Sequence, residues 1–210
     1  MNQSINIKVC GITRWEDMKQ LGEMGVQYGG MIFYDKSPRF AEGKMDAGKV
    51  RAFKKIKKVG VFVNADKNYI LKQVEKYQFD LLQLHGEETP SFCNELRQYL
   101  PIIKAFRIKD ENDIKKLDNY TGVCDYFLFD TYGKLYGGNG RVFNWKLLDE
   151  YKNEVPFFLS GGIGMGEVEQ IKSFSHPALF AVDVNSRFET EPGIKNINEL
   201  KQFICRLNSN

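Results

Sequence analysis

Short apolar runs alternate with amphipathic stretches along the whole 210-residue chain. Runs at 5–10, 28–33, 59–63, 79–84, 102–108, 126–130, 157–160 and 178–184 have strand length and are rich in β-branched and aromatic residues. In the gaps, apolar residues return at helical spacing, as with Met18, Leu21 and Met24, or Ile70 and Val74. The first predicted helix follows Thr13, with Glu16 three residues on as a capping box, and stops at Gly25. Further helices are predicted over 46–55, 69–77, 89–99, 110–117, 143–151, 168–174 and 197–207. Thr89-Pro90 opens the fourth, with proline at a tolerated first position. Eight strand–helix units without a linker imply a parallel sheet. They predict a (β/α)₈ TIM barrel as a single domain over 1–210. An open doubly wound sheet is the alternative, but no Gly-x-Gly-x-x-Gly follows the first strand.

In a barrel the chemistry gathers at the carboxyl ends of the strands. The first strand carries Lys8 and Cys10 on one face and Ile7 and Val9 on the other. If Lys8 and Cys10 point inward, the lysine favours a thiolate, which would serve as base or nucleophile. The plainer reading is a small buried hydrophobe. Asp130 ends an apolar strand. Partial desolvation would favour its protonated form and suit a general acid, although a helix cap or structural hydrogen bond is equally open. Gln83 and His85 end the fourth strand on one face, and His85 is read as a polar contact more than a proton carrier. Gly161-Gly162 ends the seventh strand, and Asp183, Asn185 and Ser186 end the eighth. Those two ends together form a phosphate cradle, because glycine backbone lets N–H groups approach an anion. A tight turn is the alternative for either loop alone. Arg39, after the second strand, can hold a carboxylate bidentately or form a surface salt bridge. Trp15 and Trp145 are read as packing, with Phe143 and Trp145 at the start of the sixth helix.

Charge and cysteine content narrow the picture. There are 30 Lys+Arg against 27 Asp+Glu, a net +3. The cluster Lys54-Lys55-Ile56-Lys57-Lys58 reads as a solvated helix end, not a nucleic-acid patch. No apolar run approaches the roughly 20 residues that span a bilayer. Met1-Asn2-Gln3-Ser4 shows no basic region followed by an apolar core, so no signal peptide is expected. Cys10, Cys93, Cys124 and Cys205 are scattered and the histidines His85 and His176 lie far apart. Reduced thiols in a cytoplasmic protein, with no metal and no cofactor, are expected.

Taken together, several segments resemble phosphoribosylanthranilate isomerase, the third enzyme of the tryptophan branch from chorismate. They are Lys8-Val9-Cys10-Gly11-Ile12-Thr13, Ser37-Pro38-Arg39, Val59-Gly60-Val61-Phe62-Val63, Gln83-Leu84-His85-Gly86, Asp130-Thr131 with Gly137-Gly138-Asn139-Gly140, Ser160-Gly161-Gly162-Ile163 and Asp183-Val184-Asn185-Ser186. The resemblance spans nearly the whole chain. It implies an Amadori rearrangement of N-(5-phosphoribosyl)anthranilate, with Asp130 as acid, Cys10 as base and Arg39 on the anthranilate carboxylate. Gln83, His85 and Asp183 would meet the sugar, and Gly161, Gly162, Asn185 and Ser186 the phosphate. A small phosphosugar is the implied partner, with the protein a monomer or homodimer. Arg187 stands where the family often has glycine, and Asn139 where Thr or Ser is common. A backbone that needs φ > 0 would strain Arg187; otherwise its cation assists the phosphate or faces solvent. The analogous histidine-pathway isomerase uses two aspartates, so Cys10 and Arg39 favour the anthranilate substrate. A barrel that only binds phosphorylated ligands is the non-catalytic alternative.

Overall fold

Eight parallel strands close into a barrel in sequence order, each hydrogen-bonded to the next and the last to the first. The structure is a computed structural model and describes residues 5–131 and 144–209. The strands are β1 Asn6–Val9, β2 Tyr28–Ile32, β3 Lys57–Phe62, β4 Leu81–Leu84, β5 Ile102–Ile108, β6 Tyr126–Thr131, β7 Phe157–Leu159 and β8 Leu179–Val184. The helices outside are α1 Trp15–Glu23, α2 Ala47–Ala52, α3 Lys67–Tyr77, α4 Pro90–Arg97, α5 Glu111–Lys115, α6 Val168–Ser173 and α7 Ile197–Asn208. Asp46, Asp66, Thr89, Asp110 and Asn196 cap α2, α3, α4, α5 and α7 through side-chain acceptors, which satisfies N–H groups that a helix start leaves unpaired. No helix among the described residues is long and apolar enough to cross a membrane.

The two faces of each strand feed two cores. Outward residues such as Val9, Phe127, Phe129, Phe157 and Val182 pack under the helices. Inward residues, including Tyr28, Val59, Val61, Leu81, Ile103, Leu128, Phe158 and Ala181, fill the lumen. At its amino-terminal end the lumen is plugged by aromatic rings. Tyr28 and Tyr126 each meet Phe158 edge-on at 5.5 and 5.6 Å, and Phe180 lies 4.8 Å from Tyr126. The other end of the lumen is polar.

Three local expectations are corrected, and one element is added. The helix predicted over 143–151 is a 3₁₀ turn, Trp145–Glu150; its three-residue repeat puts Trp145 and Leu148 together on the core. Phe143 and the glycine segment 137–140 lie outside the described residues. Thr13 does not cap α1, whose N-cap Arg14 makes no side-chain bond. The Thr13 hydroxyl donates instead to the Gly193 carbonyl at 2.7 Å. The lysine cluster is not a helix end: α2 stops at Ala52, where Phe53 turns extended and meets Trp15 at 5.3 Å. Lys57 and Lys58 open β3, and Lys58 is buried beside Asp80. Finally, a hairpin unanticipated from the sequence follows β8, formed by β9 Glu189–Glu191 and β10 Ile194–Lys195.

The aromatic plug sets a stability prediction. Phe158 is fully buried among Tyr28, Tyr126 and Phe180. Phe158→Ala is expected to destabilise the protein by ~3–5 kcal/mol, read as a shift in the urea unfolding midpoint with unchanged slope.

Candidate active site

At its carboxyl end the barrel opens into a cleft of about 730 Å³, counting space continuous with solvent. Cys10, Arg39, Gln83, His85, Asp130, Gly161, Gly162, Asp183, Asn185 and Ser186 all line it. Every site residue singled out from the sequence is thus brought to one cavity, contributed by five strand ends and the loop after β2.

Cys10 follows β1, and its N–H donates to Val184 O at 2.9 Å, which continues the β1–β8 pairing. The side chain is buried and faces the lumen, as the alternation with Val9 predicts. Room for its sulfur comes from β2: a Cβ on Gly30 would stand 2.9 Å from Cys10 Sγ. Two residues down the strand, Lys8 lies opposite Asp183 in the β1–β8 register. Lys8 Nζ donates to Asp183 Oδ1 at 2.8 Å, with both groups buried. Burial opposes the Lys8 ammonium, but Asp183 and Cys10 outweigh it, and its pKa lies above the ordinary lysine value.

The protonation of Cys10 departs from the sequence expectation. Burial pushes the thiol above its ordinary range; Lys8 and Lys195 oppose this without overcoming it, and Asp183 adds to it. Lys8 is a weak activator because its charge is already engaged by a carboxylate. The resting group is a thiol, not a thiolate.

Asp130 ends β6, nearly buried. Its Oδ1 accepts from the Thr131 N–H at 2.8 Å, and its Oδ2 stands 3.4 Å from His85 Nε2. That spacing is too long for a good hydrogen bond, and the His85 nitrogen makes none among the described residues. On its far side, His85 Nδ1 is 2.7 Å from Gln83 Nε2. Gln83 Oε1 is buried without a partner among the described residues. Two residues that line the cleft thus each carry a buried polar atom without a partner among the described residues.

The β7 end of the cleft is built on backbone. Gly161 and Gly162 have φ of +95° and +70°, a conformation that side-chain-bearing residues adopt at a cost. A Cβ on Gly161 would also come within 2.6 Å of Thr131 N. Asn185 and Ser186, after the neighbouring strand β8, line the same cleft. Arg187 sits in a 3₁₀ turn, Ser186–Phe188, and is not among the described residues with positive φ. The strain anticipated there is absent, and Arg187 lines the cleft.

Arg39 has an internal partner that the sequence did not reveal. Its Nε and Nη2 bond both oxygens of Glu189 at 2.7–3.0 Å. Lys195, also unforeseen, donates from Nζ to Glu189 Oε1 at 2.7 Å and to Asn185 Oδ1 at 2.9 Å. Both residues lie in the β9–β10 hairpin. Its signal was legible: Pro192-Gly193 between two short β-competent stretches marks a tight turn, and Gly193 has φ +88°.

A family model for N-(5′phosphoribosyl)anthranilate (PRA) isomerase matches residues 7–206. The N-(5′-phosphoribosyl)anthranilate isomerase of Parabacteroides distasonis is 42% identical over 204 residues, spanning 96% of this chain and 92% of its own. Among solved structures, the phosphoribosyl anthranilate isomerase of Thermotoga maritima superposes with a TM-score of 0.83 at 32% identity, covering 97% of this chain and 98% of its own. A phosphoribosyl anthranilate isomerase in complex with reduced 1-(o-carboxyphenylamino)-1-deoxyribulose 5-phosphate superposes with a TM-score of 0.79 at 30% identity, covering the same shares. With the match running through the barrel and across every strand end that forms the cleft, this chain belongs to the N-(5′-phosphoribosyl)anthranilate isomerase family.

Proposed function

We infer that the chain isomerises N-(5′-phosphoribosyl)anthranilate to 1-(2-carboxyphenylamino)-1-deoxyribulose 5-phosphate, within tryptophan biosynthesis, as a cytoplasmic enzyme. The observation that carries the reading is that one cleft gathers Cys10 and Asp130 with Arg39 and the Gly161-Gly162 loop. Asp130 protonates the ribose ring oxygen, the C1′–O bond breaks, and an anthranilate Schiff base forms. Cys10, as thiolate, takes the proton from C2′ and yields the enolamine. Transfer of a proton to C1′ and loss of one from the C2′ hydroxyl give the ketone. Atoms and charge balance without any redox partner.

The supporting geometry fits each end of such a substrate. The Gly161-Gly162 backbone, with Asn185, Ser186 and Arg187, takes the phosphate. Gln83, His85 and Asp183, which line the cleft, face the sugar. Arg39 uses its Nε/Nη2 edge on Glu189, leaving Nη1 for the anthranilate carboxylate. A raised thiol pKa makes Cys10 scarce as a thiolate but a stronger base when ionised.

Two outcomes are expected. Cys10→Ala and Asp130→Asn each lower kcat by ~10²–10⁴-fold while the circular dichroism spectrum is unchanged, measured by the loss of anthranilate fluorescence on freshly prepared substrate. Turnover near the wild-type rate in either variant would remove that residue's role. The second outcome concerns pH. Burial raises the Cys10 thiol, so the thiolate fraction, and with it kcat/KM, climbs with pH through the neutral range. Lys8→Met removes a cation that opposes burial and moves this limb to higher pH. A shift to lower pH would contradict the assignment. Iodoacetamide alkylation of Cys10 reports the same ionisation independently.

A further inference from the structure

We propose that Glu189, clamped by Lys195, is a positioning residue that sets Arg39 for recognition of the substrate's aromatic carboxylate. This rests on the reading of Arg39 given above and deepens it. The Glu189 carboxylate is buried and accepts every bond that its two oxygens can place on the hairpin and on Arg39. Oε1 takes Arg39 Nε at 3.0 Å, Lys195 Nζ at 2.7 Å and Gly193 N at 3.1 Å. Oε2 takes Arg39 Nε at 2.9 Å and Nη2 at 2.7 Å.

This arrangement has three consequences. First, it orders a long side chain before the ligand arrives. An arginine free in the loop after β2 would lose rotamer freedom on binding; here that ordering is part of folding. Second, it leaves charge for the ligand. Two cations share one carboxylate, so the cluster retains a positive charge. The planar guanidinium turns Nη1 away from the edge bonded to Glu189. Third, it connects the ends of the cleft. Lys195 Nζ also bonds Asn185 Oδ1 in the phosphate loop. Arg39 Cδ and Asn185 Oδ1 both crowd the backbone next to Cys10: a Cβ on Gly11 would lie 2.7 Å from each.

The hairpin itself is stapled to the β1–α1 connection and to the first turn of α1. Thr13 donates to Gly193 O at 2.7 Å, and Asp17 accepts from the Lys195 N–H at 3.2 Å. Glu189 therefore has a fixed backbone from which to hold Arg39. A clasp serving stability alone would be built at lower desolvation cost from apolar residues.

The test compares wild type, Glu189→Gln, Arg39→Ala and the double variant on two substrates. One is N-(5′-phosphoribosyl)anthranilate. The other is its carboxylate-free counterpart, made by condensing aniline with ribose 5-phosphate. Glu189→Gln is expected to reduce kcat/KM on the carboxylated substrate by about 10²-fold, the scale of a positioning error near 1 Å, with the larger part in KM. The aniline substrate is expected to lose far less. Adding Glu189→Gln to Arg39→Ala is expected to change nothing further, because Glu189 acts through Arg39. Wild-type behaviour of Glu189→Gln, equal losses on both substrates, or additive losses in the double variant would each overturn the proposal while Arg39 kept its role. If Arg39→Ala discriminates between the substrates as well as wild type does, the carboxylate reading of Arg39 fails first.

Discussion

The seam where the barrel closes carries the interaction on which the site depends. Closing eight strands in sequence order puts β1 beside β8, and the pairing sets Lys8 against Asp183 inside the lumen. A lysine and an aspartate in an apolar interior must pair or be expelled, because an isolated buried charge is far costlier than a paired one. Their 2.8 Å contact therefore fixes the β1–β8 register as firmly as the backbone bonds do. A one-residue slip would put Ile7 or Val9 inward and turn Lys8 into the helix layer. Cys10, two residues above Lys8, faces the cleft only in the observed register.

The lumen is divided along its axis, and the division follows from what each end must do. The aromatic plug of Tyr28, Tyr126, Phe158 and Phe180 closes the amino-terminal end with rings that need no partner for their faces. Above it come Lys8 and Asp183, and above them the open ring of Cys10, Gln83, His85 and Asp130. Strand-end polar groups are thus held on rigid elements over a packed floor. The glycines extend the same logic. Gly30 clears space for the Cys10 sulfur, and Gly161 lets the seventh loop lie against Thr131. Neither position tolerates a side chain without moving a residue of the cleft.

Much of this was legible in the chain. The period-two and period-3.6 patterns located all eight strands, and β5 was located to the residue. The cleft residues were legible because they sit at strand ends, where the topology forces convergence. What escaped was decided by tertiary context. Thr13 has a capping sequence, yet its hydroxyl is used across the fold on Gly193. The segment 145–150 winds as a 3₁₀ turn, whose repeat of three sets both Trp145 and Leu148 on the core. Glu189 and Lys195 are unremarkable in sequence, since a three-residue and a two-residue strand leave almost no periodicity to detect. The thiol of Cys10 was misjudged for a related reason. Adjacency to Lys8 on one strand face is visible in sequence, but Asp183, which engages that lysine, comes from the opposite end of the chain.

The balance of charge in the cleft explains why so many ionic groups are tolerated together. The chain as a whole is close to neutral, at +3. The walls of one cleft nevertheless gather Arg39, Arg187 and, just beneath the surface, Lys8 and Lys195. Asp183 accepts from Lys8, and Glu189 accepts from both Arg39 and Lys195, so the cluster around Glu189 presents a positive field. A substrate bearing a phosphate and a carboxylate at opposite ends is the complement of that field. The paired carboxylates are what make the excess usable: they hold the cations in fixed directions in a low-dielectric site, where unpaired cations would deprotonate or seek solvent. The same field acts on the chemistry. In the proposed mechanism, protonating the ring oxygen with Asp130 builds a cation on the sugar, which a positive cleft disfavours, so the acid must be close and aimed. Removing the C2′ proton with Cys10 would then discharge that cation, with Lys8 and Lys195 favouring the thiolate against its burial. Binding and proton abstraction draw on one arrangement of charge, and the ring-opening step proceeds against it.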